Sequence, residues 1–203
     1  MKEERRPESA KILSVFRHGE TDWNALSKLQ GQLDVPLSVR GKQQVGILSE
    51  ALLADEIESV YSSDLSRAKE TVLPLAERFG IPILFDPRLR EVHLGEAQGI
   101  HIADIDSRFG AHSWSKWKSF DPLWDGFSFP NGETKPELDG RIFSFLKSIL
   151  QTPDQVRVGI CTHGYWISRM LFLLNLQPKE DLRNCEVFRI RLDAKSFFAK
   201  TVP

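Results

Sequence analysis

The chain alternates short apolar runs with longer amphipathic stretches, and that alternation predicts its elements. Lys11-Ile-Leu-Ser-Val-Phe16 is a run of strand formers that stops at the polar triplet Arg17-His18-Gly19. Ser38 predicts the N-cap of a helix reaching about residue 54, with Val45, Leu48 and Leu52 on one face. A second strand is expected over residues 57–61. Asp64 then predicts the cap of a helix in which Leu65, Ala68, Val72, Leu75 and Phe79 recur at helical spacing, with Gly80 closing it. Residues 81–85 read as a third short strand, and 137–150 as an amphipathic helix using Leu138, Ile142, Phe145 and Ile149. Residues 156–162 form a continuous apolar strand that ends in His163-Gly164; a helix over 166–174 and an alternating edge strand over 186–192 follow.

Strands alternating with helices predict an α/β fold, a three-layer α/β/α sandwich around a mostly parallel sheet. Between residues 100 and 130 the pattern dissolves into Trp, Ser, Asp and Pro with short helical pieces, which predicts an inserted lid. Residues 1–9 are charged and lack the apolar core of a secretion signal, so they are expected to be a disordered tail and the protein cytoplasmic. Residues 10–203 are expected to be one domain, since no Pro/Gly-rich linker divides them.

Composition narrows the function. At 203 residues the chain can bury a core without disulfide or metal staples. A net charge of −1 gives no general field toward nucleic acid or an anionic membrane, and no apolar run is long enough to span a bilayer. Two cysteines cannot build a Cys-rich zinc site, and Cys161, inside an apolar run, reads as a buried thiol. Any anion selectivity must therefore come from a local cluster of positive groups.

Ligands of open α/β sheets bind beyond the carboxyl ends of the strands. Three strand ends here carry reactive groups: Arg17-His18-Gly19, Ser62 to Arg67, and Thr162-His163-Gly164. In both His-Gly pairs the glycine lets backbone approach a ligand closely. The string Arg17-His18-Gly19-Glu20-Thr21-Asp22-Trp23-Asn24 resembles the Arg-His-Gly-x-Thr-x-x-Asn signature of the histidine phosphatase (phosphoglycerate mutase-like) superfamily. The likeness continues through Gln30-Gly31, Asp34, Pro36-Leu37 and Gly41, then Ser62-Ser63-Asp64-Leu65-Ser66-Arg67-Ala68-Lys69-Glu70-Thr71. It extends to Leu89-Arg90-Glu91 with Gly95 and Gly99, to Pro130-Asn131-Gly132-Glu133-Thr134 (Thr where the family has Ser), and to Thr162-His163-Gly164.

The resemblance implies phosphoryl transfer through a histidine, a chemistry of positioning and charge stabilisation. His18 would be the nucleophile, neutral, with its second ring nitrogen tied to a nearby carbonyl such as that of Gly19. Arg17, Arg67 and His163 would hold the phosphate, His163 preferably as an imidazolium. Thr21, Asn24, Gln30 and Gly164 would bind or position substrate, and Glu91 would protonate the leaving group and then activate water. Glu20 and Glu133 would either orient the histidines or pair with surface bases; His93 would line the pocket or cap a loop. No metal or other cofactor is expected, because guanidinium and imidazolium supply the positive charge. No Walker-type loop or Gly-x-Gly-x-x-Gly string is present, which argues against a kinase or a dehydrogenase. The expected partner is a small phosphorylated metabolite, not nucleic acid or membrane, and a homodimer stays open.

The family contains hydrolases and mutases. Glu91-Val92-His93-Leu94-Gly95-Glu96-Ala97-Gln98-Gly99 resembles the mutase form of its segment, but Val92 and Leu94 replace the Arg and Tyr expected to touch phosphoglycerate. The lid offers Arg108, Lys116 and Lys118 without the mutases' adjacent arginine pair. Trp114, Trp117, Phe120, Trp124, Phe127 and Phe129 dominate it, either packing the lid or walling the substrate's organic part. The expectation is a phosphomonoester hydrolase, with a cofactor-dependent phosphoglycerate mutase as the alternative and a catalytically weak binding protein third.

Overall fold

In the computed structural model, which describes residues 10–152, 155–194 and 197, five strands form one sheet. They are β1 (Lys11–Arg17), β2 (Ser59–Ser62), β3 (Ile83–Phe85), β4 (Arg157–Thr162) and β5 (Val187–Leu192). The order across the sheet is β3-β2-β4-β1-β5; β5 runs antiparallel to β1 and every other pairing is parallel. The helices are α1 (Asp22–Ala25), α2 (Val39–Leu52), α3 (Ser66–Phe79), α4 (Ile105–Phe109), α5 (Ser113–Lys118), α6 (Lys135–Leu150) and α7 (Gly164–Leu173). The expected tail over residues 1–9 lies outside the described residues.

Side chains alternate across the strands, and each face of the sheet buries its own core. Phe16, Val60 and Cys161 pack with Val45, Leu48, Val72 and Leu75 of α2 and α3. Leu13, Val15, Val158 and Ile160 pack with Ile142 and Phe145 of α6 and Ile167 and Met170 of α7. The three-layer sandwich expected from the sequence is therefore present. No described helix is long and apolar enough to cross a membrane.

Local chemistry sets the helix ends. Ser38 caps α2 as expected, its hydroxyl accepting from the Gly41 amide at 3.0 Å. Gly41 also lets the chain after β1 close on this helix, because a Cβ there would lie 2.0 Å from the Glu20 carbonyl oxygen. The expected Asp64 cap of α3 is not formed: Leu65 is the N-cap and supplies no side-chain bond. Asp64 instead takes Arg90 in a bidentate pair at 2.6 and 2.5 Å. A charge-assisted fork is stronger than a neutral cap bond, so it wins the carboxylate.

The segment between residues 100 and 130 carries α4 and α5 and is held down by buried cations. Lys135 Nζ donates to the carbonyls of Trp124 (2.9 Å) and Lys116 (3.3 Å). Arg169 forks onto Asp139 of α6 at 2.7 and 2.8 Å and reaches Asp125 at 3.2 Å.

Candidate active site

Parallel register brings three strand ends together. Arg17 is the partner of Thr162, and Ser62 of Cys161, so β1, β4 and β2 stop side by side. The His18 amide continues the ladder to the Thr162 carbonyl and the Ser63 amide to the Cys161 carbonyl, both at 3.0 Å. A cavity of about 520 Å³ opens beyond these ends, with Arg17, His18, Arg67, Glu91 and Gly164 in its wall. His163 is fully buried and does not line that cavity, but its ring centre lies 5.1 Å from that of His18.

His18 Nδ1 lies 2.6 Å from the carbonyl oxygen of its own successor, Gly19, the carbonyl expected from the sequence. Burial, then the guanidiniums of Arg67 and Arg17, hold the His18 pKa well below its ordinary value, and the Gly19 contact only partly opposes them. The ring is therefore neutral at physiological pH. A neutral imidazole facing a carbonyl carries its proton there, so Nδ1 donates and Nε2 keeps a free lone pair.

The expected imidazolium at His163 is corrected. Burial first, then Arg67, His18, Arg141 and Arg17, hold its pKa well below the ordinary range. With two guanidiniums already close, a third positive charge is disfavoured. Its Nε2 lies 2.9 Å from Ser63 Oγ, while Nδ1 is buried without a protein partner.

The arginines are built in by carbonyls rather than carboxylates. Arg67 is 1 % exposed and donates from Nη1 to Leu33 O (2.9 Å) and from Nη2 to Gly31 O (2.7 Å). Burial brings its pKa down to about 10, which leaves it charged at neutral pH. Arg17 donates from Nη1 to Leu182 O at 2.5 Å, and burial lowers its pKa too, with Glu91 opposing. The Nε atoms of both arginines are buried without a protein partner.

Glu91 lies against the N-terminus of α7. Its carboxylate accepts from the amides of Trp166 (3.1 Å), Tyr165 (3.1 Å) and Val92 (3.0 Å). The loop carrying it is clamped by Arg141 of α6, which donates to the carbonyls of Arg88 (2.8 Å), Arg90 (2.5 Å) and Glu91 (3.0 Å). Glu133 completes the clamp, taking Arg141 at 2.6 and 2.8 Å and the His93 amide at 3.0 Å. Glu133 thus bonds to neither histidine. Nor does Glu20, which pairs with exposed Arg40 at 3.5 Å and takes Ser38 Oγ at 3.4 Å. His93 caps a loop, its Nδ1 accepting from the Gly95 amide at 3.2 Å.

Asn24 and Gln30 line the cavity; Thr21 does not. The Thr21 hydroxyl accepts the Asn24 amide at 3.1 Å as the cap of α1, so it serves the fold of this turn. Asn24 Oδ1 takes Thr21 N (3.1 Å) and Asn184 Nδ2 (3.3 Å), which leaves its amide nitrogen as the group it can offer a ligand. The aromatics divide between the two expected roles. Trp114, Trp117 and Phe120 line the cavity with Tyr165, whereas Phe127 and Phe129 pack into the core.

Sequence reasoning did not single out Arg141, Ser63 or the strap 179–184. Asn184 of that strap donates to the His18 carbonyl at 3.0 Å. Arg141 flanks the apolar seam of its helix, and nothing in its spacing signals three carbonyl partners about 50 residues away.

The model of the histidine phosphatase superfamily (branch 1) matches residues 13–202. Among similar proteins, a probable phosphoglycerate mutase GpmB of Serratia proteamaculans is 34 % identical over 186 residues, 88 % of this chain and 85 % of that protein. A mycobacterial glucosyl-3-phosphoglycerate phosphatase with VO3 is 29 % identical with a TM-score of 0.78, covering 89 % of this chain and 90 % of that one. YhfR of Bacillus stearothermophilus is 28 % identical with a TM-score of 0.77, covering 91 % and 93 %. The match over nearly the whole chain, together with a histidine set between two arginines at adjoining strand ends, makes this chain a member of the histidine phosphatase superfamily, branch 1.

Proposed function

We propose that the protein is a phosphomonoester hydrolase that works through a phosphohistidine on His18. The observation that carries this reading is a neutral imidazole with Nδ1 engaged by Gly19 O, in a wall shared with two buried guanidiniums. Arg17 Nε, Arg67 Nε and His163 Nδ1 are buried nitrogens without protein partners, and a phosphoryl group brings several acceptor oxygens to such donors.

In the first step His18 Nε2 attacks phosphorus, the bond from phosphorus to the ester oxygen breaks, and Glu91 gives the leaving oxygen a proton. In the second, Glu91 takes a proton from water, the hydroxide attacks phosphorus, and the phosphorus–Nε2 bond breaks to release inorganic phosphate. Arg17, Arg67 and the Nδ1–H of His163 stabilise the charge on the equatorial oxygens in both steps. Asn24, Gln30 and Gly164 shape the approach of the ester.

The test is turnover of an aryl phosphate with acid-labile label trapped on the protein. Wild type is expected to turn over in the presence of a chelator and to trap phosphate. His18→Ala is expected to lose both, by at least about a thousandfold in rate. Near-normal turnover by His18→Ala would remove the nucleophile from this reading. The names of the GpmB relatives favour a second reading, phosphoglycerate mutase. That activity would appear as phosphoglycerate interconversion dependent on a bisphosphorylated primer.

A further inference from the structure

The cavity continues well beyond the phosphate end, and its outer half has a definite chemistry. Trp114 and Trp117 stack at 5.2 Å between ring centres, and Trp117 meets Tyr165 at 4.3 Å, giving one continuous aromatic wall. Four charges stand around it, and they cancel: Lys28 and Lys118 against Glu180 and Asp181. Both lysines are already engaged. Lys118 pairs with Glu180 at 3.2 Å and lies 5.9 Å from the Trp114 ring; Lys28 lies 4.3 Å above the Trp23 ring.

The two carboxylates are held in place by the strap 179–184. Arg17 donates to the carbonyl of Leu182, next to Asp181 in sequence. Ser168 donates to the carbonyl of Lys179 at 2.5 Å, and Asn184 to that of His18 at 3.0 Å. A phosphate arginine thus anchors the segment that carries negative charge to the pocket rim.

We infer that the substrate is a phosphomonoester whose organic part presents a ring or other apolar face and carries no second anionic group, and that Glu180 and Asp181 enforce the second condition. This rests on the phosphohydrolase reading above. A carboxylate or second phosphate in the outer cavity would have to take Lys118 from Glu180 and would then face Asp181 unopposed. Like charges brought together in this way reject a partner more strongly than they reward the right one. Aromatic carbon, in contrast, gains from covering an uncharged ring.

The experiment uses the full chain and two matched esters, 4-carbamoylphenyl phosphate and 4-carboxyphenyl phosphate, which differ in charge but hardly in shape. Wild type is expected to prefer the amide by about tenfold in kcat/KM, the size of one modest charge repulsion. The preference should shrink at high salt. It should fall toward one in Glu180→Gln/Asp181→Asn, mainly through a lower KM for the carboxylate. Trp114→Ala should raise KM for both esters. A wild-type ratio near one, or a ratio unmoved by both salt and the double substitution, overturns the proposal. If neither ester is hydrolysed and no phosphate is trapped on His18, the hydrolase reading itself falls, a different result from loss of discrimination alone.

Discussion

His18 and His163 form a buried pair of imidazoles that the surrounding guanidiniums keep neutral. In the unfolded chain each would titrate near about 6.5. As pH falls through that value the unfolded state binds protons that the native state refuses, so stability drops on the acid side. The slope is at most about 1.4 kcal/mol per pH unit for each histidine. Carboxylates such as Asp64, whose pKa Arg90 lowers, act at lower pH and do not overlap this window. Urea midpoints measured without phosphate are therefore expected to fall between pH 7.5 and 5.5, and His18→Asn/His163→Asn to flatten that fall. Equal slopes would contradict the neutral pair. At this scale the sequence was informative about residues whose neighbours in the chain define them. The Gly19 carbonyl as the partner of His18 is such a case, since donor and acceptor belong to adjacent residues. The state of His163 was not legible, because its charge is decided by Arg67 and Arg141, which approach only through the fold.

Among the elements, strands buried on both sides were read most readily. Continuous apolar runs gave β1 and β4 nearly to their ends, whereas β3 is three residues long and has only β2 as a neighbour. The segment over 100–130 resisted reading because its order depends on Lys135 and Arg169, cations from distant helices that bind its carbonyls and carboxylates. The same kind of reach connects α6 to chemistry. Arg141 holds the three carbonyls around Glu91, so it is a positioning residue for the proposed acid and base. Arg141→Met is expected to lower kcat by roughly 10- to 100-fold with KM little changed, the cost of an acid displaced by about 1 Å. Arg141→Lys should rescue poorly, since an ammonium cannot reproduce the planar fork. A parallel rise in KM, or full activity in Arg141→Met, would argue that the clamp serves only the fold.

The molecule as a whole concentrates buried positive charge at one end of its sheet while its net charge is only −1. An anion that binds this end stabilises the native state alone. Inorganic phosphate or vanadate at about 100 times its Kd should add about 2.7 kcal/mol. A thermal scan should show the gain, and Arg67→Ala should remove most of it. An equal shift in that variant would place the anion elsewhere.

Strand order carries one more consequence. The two halves of the proposed phosphate grip, Arg17-His18 and Arg67, follow β1 and β2, yet β4 lies between those strands. While a ribosome is still making the chain, nearly four-fifths of it must emerge before that gap can be filled. Contacts this far apart in sequence form late and slowly. A nascent or prematurely terminated chain ending before residue 157 therefore holds both arginines and His18 but has no means of bringing them to one phosphorus atom. Catalytic competence arrives with the last parallel strand, so incomplete copies are inert toward cellular phosphate esters.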